Sequence, residues 1–159
     1  MKYKDIIYSI SCLAYTIVIG GAVYEHLAVV PQWSAAPPLS LSMFQGEYGL
    51  NPGPFWMSVH PVTLVCFIAT LITAWKTARK RNILTAFVGY VVILAITSIY
   101  FVPELMEIVN TPFTTLVNPD LTERAKLWEV LSLVRLGVMV ILSIYLFLGL
   151  TKSNEKIIV

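Results

Sequence analysis

Residues 127–150 read LWEVLSLVRLGVMVILSIYLFLGL. Crossing about 30 Å of hydrocarbon at about 1.5 Å per residue takes roughly 20 predominantly apolar residues in a helix. This stretch supplies them, with one arginine, Arg135, well inside. Three further stretches have the same character: residues 6–30, 55–75 and 83–102. Of the 159 residues, 57% are hydrophobic and 13% charged, and the mean hydropathy is +0.77. Soluble domains carry about 25% charged residues, so the expectation is an integral membrane protein. Each span must satisfy its backbone internally, and successive spans reverse direction. The expected fold is therefore all-α: a single-domain, four-helix antiparallel bundle over residues 1–159, with outer loops at 31–54 and 103–126.

The formal net charge of +2 is too small and too scattered for a nucleic-acid partner. There is no phosphate loop, dinucleotide glycine fingerprint or convincing internal repeat. Lys2 and Lys4 precede the first span. Lys76, Arg79, Lys80 and Arg81 lie between the second and third, and Lys152 and Lys156 follow the fourth. The positive-inside rule then places both termini in the cytoplasm and the long loops outside, in a cell membrane of the bacterial inner-membrane type. A basic N-terminus before an apolar run has the form of a signal peptide. Here the run continues past the usual length without a convincing cleavage site, so a retained first span is expected. Cys12 and Cys66 fall in spans at different depths, which argues for buried thiols rather than a disulfide.

The polar residues within or near the spans gather at the outer end. GGAVYEHLAVVPQW, residues 20–33, carries Glu25 and His26; His60 starts the second span, Glu104 and Glu107 end the third, and Glu129 and Arg135 enter the fourth. For Glu107, Glu123 and Lys126 an interfacial position explains the charge. Arg135 is different. A guanidinium at that depth costs about 2.5–3.5 kcal/mol on insertion scales unless it finds a partner or water. Glu25 is the expected partner, because Gly20 and Gly21 allow close backbone approach, with Glu104 and Glu129 as alternates.

Helical spacing groups Trp128, Ser132, Arg135, Met139 and Ser143 on the fourth span. It groups Tyr90, Thr97, Tyr100 and Glu104 on the third, and Trp56, His60, Thr63 and Phe67 on the second. Such stripes suit a lined pocket and equally suit packed helix interfaces. Pro103 removes a backbone donor and frees a carbonyl in the preceding turn for water, a ligand or Arg135. Asn118 and Pro119 read as N-cap and first position of the fourth helix. The loop at 31–54, with Trp33, Phe44, Tyr48 and Trp56 in or beside it, reads either as a lid or as an aromatic belt.

The candidate catalytic residues are His26, His60, Glu25 and Arg135. Trp56, Tyr100, Glu104, Trp128, Glu129 and Ser132 are the candidate substrate contacts. An imidazole beside a carboxylate can act as general base, and an arginine in a low-dielectric pocket can stabilise an oxyanion or enolate. His26 and His60 could also ligate haem iron or, with a carboxylate, a non-haem metal. The pattern permits such a group without requiring it, since no zinc spacing or Cys-x-x-Cys is present.

The four short spans, GGAVYEHLAVVPQW at the end of the first and LTERAKLWEVLSLVRLGVMVILSIY in the last resemble the anthrone-oxygenase-like family of small membrane proteins. Trp128 and Arg135 match that family's aromatic and arginine at the entry to its last helix, and Asn110 or Asn118 matches loosely in the preceding loop. The resemblance implies oxidation of a lipophilic aromatic or quinone-like molecule without an organic cofactor. Two functions are thus open. One is a membrane oxidoreductase or oxygenase with an outward-facing polar pocket. The other is a non-enzymatic binding or transport-related module, holding haem, metal, lipid or a small ligand, in which the arginine and its acid are structural.

Overall fold

The computed structural model describes residues 3–153, and every regular element among them is helical. Four helices are long and apolar enough to cross a membrane: α1 Tyr3–Ser34, α2 Gly53–Ala74, α3 Lys80–Val109 and α4 Pro119–Thr151. A short 3₁₀ turn, Leu39–Phe44, lies in the loop between α1 and α2. The apolar side chains that coat the helices outside, such as Leu13, Val65, Ile72, Ile99 and Ile141, are exposed, as lipid-facing residues are.

Hydroxyls and indoles set the register between helices. Ser11 shares a hydrogen bond with Thr70 at 2.6 Å, and Trp56 donates to Glu25 at 2.8 Å, joining α1 to α2. Asn82 donates to the carbonyl of Tyr145 at 2.7 Å and Trp128 to that of Phe101 at 2.9 Å, joining α3 to α4. Tyr8 donates to Leu146 O at 2.6 Å and Ser34 to Glu129 at 2.8 Å, joining α1 to α4. Along each of these pairs, residue numbers rise on one helix as they fall on the other.

There are two cores. The central one holds Tyr8, Tyr15, Val18, Phe67, Ile83, Tyr90 and Leu146. The second, around the end of α1 and the start of α4, holds Val30, Trp33, Leu41, Phe101, Ile108, Leu121 and Trp128, so the α1–α2 loop folds back onto the helix ends. Trp33 sits edge-on to both Phe44 and Trp128, with ring centroids 6.5 and 5.5 Å away. The backbone N–H of Asn118 donates to Pro37 O at 3.0 Å and ties the α3–α4 loop to the α1–α2 loop. Tyr48, by contrast, is exposed and takes no part. Asn118 caps α4 as expected, accepting from Leu121 N at 3.2 Å, with Pro119 in the first turn.

The sequence placed the helix ends differently. α1 and α3 continue past the expected limits of 30 and 102, through Pro31 and Pro103, to Ser34 and Val109. Both do so by the same device. Each contains one π turn, Glu25–Val29 in α1 and Thr97–Phe101 in α3, and each π turn is followed by Val-Pro. A proline ring clashes with the carbonyl four residues back and donates nothing; widening the preceding turn moves that carbonyl away and lets the helix resume.

The opposite end also departs from expectation. Arg79, read from sequence as a flanking charge, is 7% exposed. It pairs with Asp5 at 2.6 Å, and its Nε donates to Lys152 O at 2.9 Å. It thus clasps the start of α1, the α2–α3 turn and the end of α4, where unsatisfied carbonyls attract a cation. Lys2 and Lys156 lie outside the described residues. Cys12 and Cys66 are free thiols, the first buried, as expected.

Candidate functional site

The two π turns lie toward the same end of the bundle, and Arg135 reaches one of them. Its Nη1 donates to Thr97 Oγ1 at 2.9 Å and its Nη2 to Ser132 Oγ, one turn earlier on α4, at 2.8 Å. The guanidinium carbon lies over the Phe101 ring, 4.2 Å from its centroid. Both Thr97 and Phe101 belong to the π turn of α3. The buried Nε–H has no partner.

No carboxylate forms an ion pair with Arg135 among the described residues, so the expected contact with Glu25 is not made. Glu25 accepts a hydrogen bond from the indole of Trp56 instead, while remaining within electrostatic range of Arg135. The alternates go elsewhere. Glu104 turns outward to a two-pronged pair with Arg124, at 2.7 and 3.0 Å, which Glu107 shares at 2.7 Å. Glu129 accepts from Ser34. Gly21 does provide close approach, but to the rings of Phe55 and Trp56 on α2, whereas Gly20 faces open space.

His60 stacks on Trp56, with centroids 5.2 Å apart and planes 21° apart, and its Nδ1 shares a hydrogen bond with Tyr90 Oη at 2.6 Å. Trp56 thus joins Glu25 to His60, donating to the one and stacking on the other. Tyr15 packs edge-on to Tyr90 at 5.0 Å, and its buried hydroxyl has no partner.

His26 lies on the π turn of α1. Its Nδ1 is 2.8 Å from Ala22 O, and a carbonyl only accepts, so Nδ1 carries the hydrogen. In the neutral ring Nε2 is then a bare acceptor, buried and unpartnered. Among the described residues four buried side-chain polar atoms have no partner: Asn82 Oδ1 toward the Arg79 end, and Tyr15 Oη, His26 Nε2 and Arg135 Nε farther along the bundle. Buried polar groups are ordinarily paired, and unpaired ones mark a place for water or a ligand.

The remaining predicted contacts divide between a second aromatic core and Arg135 itself. Trp128 is buried in that core, and Tyr100 packs against it and edge-on to Phe101 at 5.1 Å. Ser132 is buried and serves Arg135. A groove of about 260 Å³ opens on the side of the molecule between α1 and α2, lined by Ile17, Phe55, Val59, Val62 and Thr63. No trio of His, Cys, Asp and Glu among the described residues is grouped to hold a metal ion, so the two-histidine-plus-carboxylate set is not assembled.

Sequence reading singled out Arg135, Glu25 and His60 but missed Phe101, whose ring lies against the guanidinium, and Tyr15, which packs on the Tyr90 that bonds His60. It also placed Thr97 and Tyr90 on a stripe without a role. The Val-Pro pairs after each π turn were the available signal. No protein-family profile, characterised protein or solved structure matches this chain.

Proposed function

We propose that the chain is an antiparallel four-span bundle of the cell membrane with both termini cytoplasmic. We further propose that the interior between the π turns receives the oxygen-bearing end of a lipophilic aromatic or quinone-like molecule, acting on it as an oxidoreductase of the anthrone-oxygenase-like kind. The basic residues at the end marked by Arg79, Lys80, Arg81 and Lys152 support the orientation.

The observation that carries the ligand is Arg135. A buried guanidinium with one orphaned N–H and no contact carboxylate suits an electron-rich oxygen arriving from outside the chain. The bare Nε2 of His26 and the His60–Tyr90 pair supply sites that can take or return a proton. Loss of a proton from a phenol or an activated C–H leaves a delocalised anion, which Arg135 would stabilise in a dry interior.

The test is titration of the purified protein in nanodiscs with anthrone and with 1,4-naphthoquinone, read by tryptophan fluorescence and by absorbance of the aromatic. Saturable quenching that Arg135→Met abolishes is expected. Absence of quenching in the wild type, or quenching indifferent to that substitution, defeats the reading.

A second reading rests on the bonds from Arg135 to Thr97 and Ser132, which lock α3 against α4. In it the chain is a non-enzymatic binding or transport-related module and the arginine is a register pin. Failure of Arg135→Met to assemble, with no quenching by either probe in the wild type, selects it.

A further inference from the structure

A second opening lies at the far end of the bundle from the site above, and it is independent of that reading. Between the start of α1 and the end of α2 runs a groove of about 650 Å³. Ile68 and Ile72 lie along its floor, 47% and 71% exposed, and Tyr3, Lys4, Trp75 and Lys76 surround its mouth. The two lysines differ from the other basic residues at this end. Arg79 is consumed by Asp5 and the α4 carbonyls, and Lys80 lies over the Trp75 ring with its Nζ 3.6 Å from the centroid. Among the described residues no carboxylate pairs with Lys4 or Lys76.

An apolar furrow that faces lipid, opening between an interfacial tyrosine and tryptophan under two unpaired ammonium groups, is complementary to one kind of molecule. Acyl chains fill the floor, the aromatic rings sit at the level of the glycerol backbone, and the lysines meet a phosphate that carries net negative charge. A zwitterionic headgroup offers the same phosphate but places its own cation against the lysines. We propose that this groove is a binding site for an acidic phospholipid, with Lys4 and Lys76 as its headgroup contacts.

Native mass spectrometry tests this on the full chain released from nanodiscs of dioleoyl-phosphatidylcholine mixed with dioleoyl-phosphatidylglycerol. The wild type is expected to retain phosphatidylglycerol in preference to phosphatidylcholine. The double variant K4Q/K76Q is expected to lower that preference by about thirtyfold, the scale of two lysines at about 1 kcal/mol each near an anionic lipid. R81Q/K152Q removes the same charge from the same end outside the groove and is expected to leave the preference within about twofold, as diffuse attraction is screened over about a Debye length. Ile68→Trp fills the floor without touching charge and is expected to reduce retention of both lipids. Equal losses in the two double variants, or no preference in the wild type, overturn the proposal. So does unchanged retention in Ile68→Trp.

Discussion

The guanidinium carbon of Arg135 stands 4.2 Å from the centroid of the Phe101 ring, with the two terminal nitrogens bonded to Thr97 and Ser132. A charge inside an apolar helix is therefore held by a ring face and two hydroxyls, with no carboxylate paired to it among the described residues. A desolvated cation over an aromatic face gains about 2 kcal/mol, comparable to the insertion cost of an arginine at a span centre.

Arg135→Lys tests that arrangement. An ammonium is compact and strongly hydrated, and it cannot reach two hydroxyls while lying flat on a ring. The variant is expected to fold with a lowered unfolding temperature in detergent and to bind the aromatic probes about tenfold more weakly, corresponding to about 1.4 kcal/mol. Phe101→Leu keeps the hydroxyl bonds and should fall between wild type and lysine. A lysine variant indistinguishable from wild type in both measurements would show that the fork and the ring contribute nothing.

Tyr90 and Tyr15 make a matched pair of hydroxyl deletions. Tyr90→Phe strips the His60 Nδ1 of its partner in the interior, and a buried group left unpaired costs about 1–3 kcal/mol. Tyr15→Phe removes a hydroxyl that has no partner, so it should be neutral or slightly stabilising. Thermal unfolding of both variants checks this. Should Tyr15→Phe prove the more damaging, that hydroxyl serves a bound molecule in the native protein.

At the opposite end, Asp5→Asn and Arg79→Met are each expected to destabilise the chain by about 1.5–3 kcal/mol, because each removes a 2.6 Å charge-assisted bond to a guanidinium that is only 8% exposed. The double variant should be less harmful than the two losses added together. Strict additivity, measured by unfolding of all three in one detergent, would mean that the residues act independently.

Gly149 lies where an added Cβ would run into the Tyr8 hydroxyl, and would lie 3.0 Å from Asn82 Cβ. Gly149→Ala should therefore lower stability by breaking the Tyr8 bond to Leu146 O. Tyr8→Phe should relieve part of the added damage, so the pair is non-additive. Gly137 meets nothing within 4 Å, and Gly137→Ala should be neutral or gain up to about 1 kcal/mol from helix propensity. Equal effects at the two glycines would contradict this packing.

Several features follow from residues 1–159 without any tertiary information. Four apolar runs of spanning length, few charges and the need to satisfy every backbone group internally dictate helices. Asn118 followed by Pro119 announces the start of α4, because a cap and its proline act within one turn of chain. Arg135 stands out as costly on depth alone. What the chain order could not decide is which side chains meet. In a soluble helix a polar face marks the outside and orients the rest. In these helices the lipid-facing and core-facing sides are both apolar, so the sequence carries little information about rotation around each axis. That rotation sends Glu25 to Trp56 rather than Arg135, turns Glu104 outward to Arg124 and draws Arg79 inward onto Asp5. The π turns belong to the same class. Val-Pro is visible in the sequence, but the widened turn also depends on its neighbours: Trp128, from another helix, takes the Phe101 carbonyl.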